Sequence, residues 1–203
     1  MERMQSVSKK LDVCFKIFEV LFTIALIGCL VGLAIIAVGA VLKLPAEMIG
    51  TGYHCLDVGM LELQLSEQAA PDRTVVLVHA FAELVLTLVM LALGKRCVGS
   101  IRAILQPMTL GLPFHREVSL HLKKISVYTL ILGVTINLME LVAHLFLIFA
   151  YDLPDLILGE NITHLTMQFD ADLSFLLISA VLLLLSYVFR YGESLQQLSD
   201  ETL

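Results

Sequence analysis

Four long apolar runs constrain this chain more than any other feature. Ile17 to Leu42, Thr74 to Leu93, Ile125 to Tyr151 and Leu173 to Phe189 are each long enough to cross about 30 Å of hydrocarbon as a helix. Hydrocarbon offers no water to backbone N–H and C=O groups, so a lone segment must satisfy them internally, which a helix does. Composition agrees. The chain is 58% hydrophobic and 16% charged with a mean hydropathy of +0.89, whereas a soluble domain carries about a quarter charged residues. The expected fold is an all-α membrane protein, a four-helix transmembrane bundle. Residues 1–203 form one domain, with no room for a separate soluble enzyme.

Basic residues set the expected orientation, because short loops rich in Lys and Arg stay in the cytoplasm. Eleven of the thirteen fall on one side: Arg3, Lys9, Lys10 and Lys16 before the first span, Lys95, Arg96, Arg102, Arg116, Lys123 and Lys124 between the second and third, and Arg190 after the fourth. Both termini are therefore expected in the cytoplasm. The opposite connections carry Glu47, Asp57, Glu62, Glu67 and Asp72, then Asp152, Asp155, Glu160, Asp170 and Asp172, so the formal charge of -6 is mostly an acidic outer face. Such a face solvates the loops and secondarily attracts cations. A basic start before an apolar run ending in Ala37-Val38-Gly39-Ala40 imitates a signal peptide, but the run is about twice a normal h-region and reads as a retained span.

The outer connections hold two alternating stretches, Met60 to Leu65 and His164 to Asp170, which suit short half-buried strands pairing as a small extracytoplasmic cap. Asp170 or Asp172 then stands where the fourth helix needs an N-cap. Asn161-Ile162-Thr163 matches a glycosylation acceptor, which matters only in a glycosylating host. Gly28 and Gly32 form a small-xxx-small motif that lets a backbone approach closely, inside the bundle or in a homodimer. Cys14, Cys29, Cys55 and Cys97 are scattered without CxxC spacing, so neither an intramolecular disulfide nor a thiolate metal site is expected. Glu19, three residues after Lys16, is expected to pair with it, and Ser174, Ser179 and Ser186 read as packing residues that return their hydroxyls to backbone carbonyls.

Two ionisable pairs interrupt the apolar sequence: His79 with Glu83 in the second span and Glu140 with His144 in the third. Each has i, i+4 spacing, which places an imidazole and a carboxylate on one helix face about 6 Å apart. Ionisable groups in hydrocarbon are costly and usually face the bundle interior, where they bind, relay protons or find a partner. Counted from the outer ends, both histidines lie above their carboxylates. If the two helices face each other, His79, His144, Glu83 and Glu140 form one cluster with Asn137 a turn deeper. Two imidazoles and two carboxylates suit zinc, iron or manganese, although bundle sites of that kind typically use Glu-x-x-His. Two histidines at one depth also suit axial ligation of a haem. Without a metal, the pairs can move protons or act as a pH-sensitive latch, or simply neutralise each other. No nucleotide loop, nucleophilic triad or zinc-protease helix is present.

The middle connection, about thirty residues long in this reading, contains Leu110-Gly111-Leu112-Pro113-Phe114-His115-Arg116-Glu117, a turn leading into a helix start. From Glu117 a basic amphipathic stretch merges with the third span and suits contact with lipid headgroups or a docking surface. The Gly-Leu-Pro-Phe element at Gly111 to Phe114 and the ending Phe189-Arg190-Tyr191-Gly192-Glu193-Ser194-Leu195-Gln196-Gln197-Leu198-Ser199-Asp200-Glu201-Thr202-Leu203 resemble the bacterial membrane proteins called the domain of unknown function 2975 family. The resemblance covers essentially the whole chain. It implies a bacterial cytoplasmic-membrane protein without an established activity, often encoded beside a small Cro/CI-type helix-turn-helix regulator, and it supplies no catalytic residue.

The resulting expectation is a sensory or regulatory membrane partner of such a regulator, rather than an enzyme, with docking through the middle connection and through Gly192, Leu195, Gln196 and Asp200 of the tail. That tail has too few basic residues to contact nucleic acid directly. The competing expectation is an intramembrane protein that binds a divalent metal or haem, or a proton or ligand pathway, built on the His/Glu cluster.

Overall fold

The computed structural model describes residues 2–43, 55–58, 61–64, 72–109, 116–151 and 171–201. Four helices dominate it: α1 (Glu2–Val41), α2 (Arg73–Thr109), α3 (Arg116–Tyr151) and α4 (Ser174–Glu201). Each is long and apolar enough to cross a membrane, and only 11–17% of each apolar window is buried within the protein. Apolar surface left outside to that extent requires lipid rather than water as its solvent. Ile24, Leu177 and Leu184, all more than 60% exposed, are typical of it.

The helices outrun the apolar runs that mark them. At about 1.5 Å per residue, α1 to α3 are roughly 54–60 Å long, nearly twice the hydrocarbon thickness of about 30 Å. Lys95, Arg96 and Arg102 therefore sit within α2 and not in a loop, and the connection to α3 shortens to residues 110–115, which lie outside the described residues with the Gly111 to Phe114 element. Hydrophobicity marks where lipid begins and ends, but backbone hydrogen bonding carries a helix onward through polar residues of good propensity. Pro107 falls in the last turn of α2, where a missing N–H ends rather than breaks the helix.

Local chemistry sets several helix ends. Asp72 accepts the Val76 N–H at its carbonyl (3.1 Å) and the Thr74 N–H at its carboxylate (3.4 Å), starting α2. Asp172 takes the Ser174 N–H at 2.8 Å and the Ser174 hydroxyl at 2.9 Å, so the acidic residue expected at the start of α4 is there. Past α1, Lys43 adopts a left-handed conformation (φ 53°) that turns the chain out of the helix.

Two short strands, β1 (Cys55–Val58) and β2 (Leu61–Gln64), pair antiparallel from Cys55↔Gln64 to Val58↔Leu61. The alternating stretch at Met60 to Leu65 thus contains a strand, paired among the described residues with the segment just before it. His164 to Asp170 and the Asn161 acceptor lie outside the described residues.

The chain divides into two compact units: Met1–Ile27 with Val89–Ile136 and Asp172–Leu203, and Gly28–Leu88 with Asn137–Ala171. The first holds eleven of the thirteen basic residues; Lys43 and Arg73 belong to the second. In the first unit α1 meets α2 where the Phe22 ring lies against Gly94, leaving 2.7 Å between that ring and any Cβ added there. Close by, Arg102 of α2 pairs with Asp12 (2.9 Å) and with Glu19 of α1. Glu19 therefore finds Arg102 rather than Lys16. α3 meets α4 through buried serines: Ser126 and Ser179 bond each other's backbone carbonyls, and the Ser186 hydroxyl donates to the Ser119 carbonyl at 2.8 Å. Phe175 fills the space over Gly133.

In the second unit α1 packs on α2 at Leu84. Cys29 Sγ donates to the Leu84 carbonyl at 3.3 Å, and the Leu84 side chain stands 3.5 Å from where a Cβ of Gly32 would be. Gly32 thus serves packing within the chain, whereas a Cβ at Gly28 would meet nothing within 4 Å. The Arg73 guanidinium donates to the Gly39 carbonyl at 3.0 Å, tying the start of α2 to the last turns of α1.

Candidate functional site

His79 is placed on the buried side of α2, within an otherwise apolar stretch of that helix. Its Nε2 stands 3.3 Å from Glu83 Oε1, the i, i+4 contact expected from spacing. The two ends of the pair differ: the His79 side chain is 8% exposed, the Glu83 side chain 40%. The carboxylate therefore reaches outward while the imidazole is enclosed. The flat of the His79 ring stacks on Phe146 of α3, with centroids 3.8 Å apart and planes within 10°. An apolar cavity of about 350 Å³ opens beside them, walled by Thr74, Val78 and Ala82 of α2 and by Val142, Leu145 and Phe146 of α3.

The helices carrying the two pairs are thus neighbours in this unit, yet what His79 meets on α3 is Phe146, two residues beyond His144. His144 turns its Nδ1 to the backbone carbonyl of Glu140 at 2.8 Å. A carbonyl only accepts, so that nitrogen carries the hydrogen. Glu140, His144 and Asn137 are all half-buried on α3. Among the described residues, His79, Glu83, Glu140 and His144 included, no three His, Cys, Asp or Glu groups gather in a way that could hold a metal ion. Among the described residues the donor set that zinc, iron or manganese requires is therefore not assembled.

The arrangement suits an imidazole that exchanges a proton with a carboxylate at the edge of an apolar cavity. Phe146 was not foreseeable from periodicity, since any apolar residue of the third span could have faced His79. Arg102 carried a usable signal: Asp12 and Glu19 are seven apart, so both lie on one face of a helix that begins early enough to contain them.

At the far end of the chain, Gly192, Leu195, Gln196 and Asp200 all belong to α4, which continues as helix to Glu201. Tyr191, Leu195 and Leu198 are 49–66% exposed and spaced i, i+4, i+7, which makes one apolar stripe on an otherwise polar helix end. Fold and sites together define a multi-pass helical membrane protein with an enclosed imidazole paired to an outward-reaching carboxylate, and with an amphipathic end to α4. No family model, curated protein or solved structure matches the chain.

Proposed function

We propose that this chain is a bacterial inner-membrane protein of the family it resembles, acting as the membrane partner of a small cytoplasmic helix-turn-helix transcription regulator. Both termini lie in the cytoplasm in this reading, and the β1–β2 ribbon belongs to a small outer cap. The asymmetry of basic residues supports the orientation, since the unit formed by both chain ends and the α2–α3 connection holds eleven of thirteen. The observation that carries the docking role is the stripe Tyr191, Leu195 and Leu198. An amphipathic helix presenting i, i+4, i+7 anchors is a standard way to enter a partner's groove. The intact protein, solubilised from membranes, is expected to retain the regulator encoded beside it in a pull-down. Removing residues 192–203, or replacing Leu195 with Asp, abolishes retention. Unchanged retention by both variants refutes the docking role.

One observation favours a second reading, a proton or ligand path: His79, paired with Glu83, lines an apolar cavity. Proteoliposomes loaded with a pH-sensitive dye and given a pH step test it. Flux that is lost in His79→Phe supports the path, and no flux above protein-free vesicles refutes it.

A further inference from the structure

A second cavity, of about 470 Å³, lies between α3 and α4 in the first unit, within the size range of small-molecule sites, about 300–1,000 Å³. Its wall differs in kind from the apolar cavity beside His79. Arg116 and Lys123 of α3 and Arg190 of α4 line it, opposed by one carboxylate, Glu193. Leu120 and Tyr187 complete the lining on the apolar side, and both are about half exposed, so the cavity runs onto the outward-facing apolar surface. Its base is held by the buried bond from the Ser186 hydroxyl to the Ser119 carbonyl, two small residues that keep the helices close.

The position along each helix is informative. Residues 173–189 carry no charge, and Arg190 is the first charged side chain after them; residues 125–139 carry none either, and Lys124 is the last charge before them. Arg190 thus stands at the edge of the α4 apolar run and, by the Ser186–Ser119 contact, level with Arg116, while Lys123 stands about two turns further along α3 at the edge of that helix's own apolar run; lipid phosphates lie where such runs end. Two guanidiniums and an ammonium converging on one hollow match a phosphodiester, since guanidinium forks bind phosphate oxygens in pairs. Basic pockets between membrane helices take anionic headgroups in the same way.

We propose that this α3–α4 cavity is a binding site for the headgroup of an anionic phospholipid, with Arg116, Lys123 and Arg190 on the phosphate and Leu120 and Tyr187 against the start of the acyl chains. The proposal rests on the membrane placement of the helices and is independent of the regulator.

The full chain, delipidated in neutral detergent, is titrated with phosphatidylglycerol, phosphatidylcholine or inorganic phosphate, and bound lipid is counted by native mass spectrometry alongside thermal unfolding. Phosphatidylglycerol is expected to remain bound and to raise the midpoint, while the other two do neither. Lys123→Gln and Arg190→Gln each weaken it about five-fold. Glu193→Gln, which removes the opposing charge without deleting a cation, tightens it and decides the matter should either cation variant fail to fold. Equal retention of phosphatidylcholine overturns the proposal, as does an equal response to inorganic phosphate, which would mark a free-anion site. Unchanged binding in a folded Lys123→Gln or Arg190→Gln, or no tightening in Glu193→Gln, overturns it too.

Discussion

Ser126 and Ser179 exchange hydrogen bonds across the contact between α3 and α4, each hydroxyl donating to the other residue's backbone carbonyl, at 2.8 and 2.9 Å. Both are buried, and their oxygens stand 3.1 Å apart. Lipid chains are as apolar as leucine, so burial of apolar surface does little to hold two helices together in a membrane. Small residues and interhelical hydrogen bonds do that instead.

Replacing either serine with alanine should lower the stability of the detergent-solubilised chain by about 0.6 kcal/mol, the average for such bonds in membrane proteins, and by no more than about 1.7 kcal/mol. Because the two bonds share one geometry, the double variant should cost less than the sum of the singles. Equilibrium unfolding of the four species reads the coupling, and strict additivity would show two independent bonds.

Gly133 should tolerate no side chain. A Cβ there would run into Phe175 Cγ, so the ring or the helix would have to move. Gly133→Ala is expected to destabilise by about 1–3 kcal/mol, as overpacked cores do. Phe175→Leu in the same background should recover part of the loss in thermal unfolding.

Arg102 holds two carboxylates, Asp12 and Glu19, at one place on α1. Each of these side chains is between a fifth and a third exposed, so the cluster is only partly shielded from solvent. Arg102→Gln leaves two like charges facing each other and should cost about 1 kcal/mol, less at high salt. Arg102→Lys should rescue only in part, since an ammonium lacks the fork that reaches both partners. A triple variant with Asp12→Asn and Glu19→Gln should be more stable than Arg102→Gln alone.

Asp172 gives the start of α4 a dependence on acid. The Ser174 N–H and hydroxyl hold its carboxyl below the usual carboxylate range. A depressed value in the folded chain means that the stabilisation is present above the unfolded value, about 3.9, and is lost as pH falls through the folded one. Amide exchange at Ser174 should accelerate, relative to intrinsic rates, only below about pH 4, and Asp172→Ala should show the faster exchange already at neutral pH.

Much of this architecture was legible in the amino-acid order. Apolar runs of seventeen residues or more placed all four membrane helices, and the need for an acceptor at the start of the fourth pointed to Asp170 or Asp172, because hydrophobic length and N-capping are local properties. The i, i+4 contact of His79 with Glu83 followed from helical geometry for the same reason. What lay beyond local sequence was every choice between equivalent apolar or polar candidates. Phe146 over His79, Arg102 between Asp12 and Glu19, Gly32 rather than Gly28 against Leu84, and Ser126 opposite Ser179 each depend on the rotation and register of one helix against another. Apolar faces are interchangeable in hydropathy and differ only in shape. Which residues meet is therefore decided by the fit of side chains across the helix contact, and that fit exists only once the helices are packed.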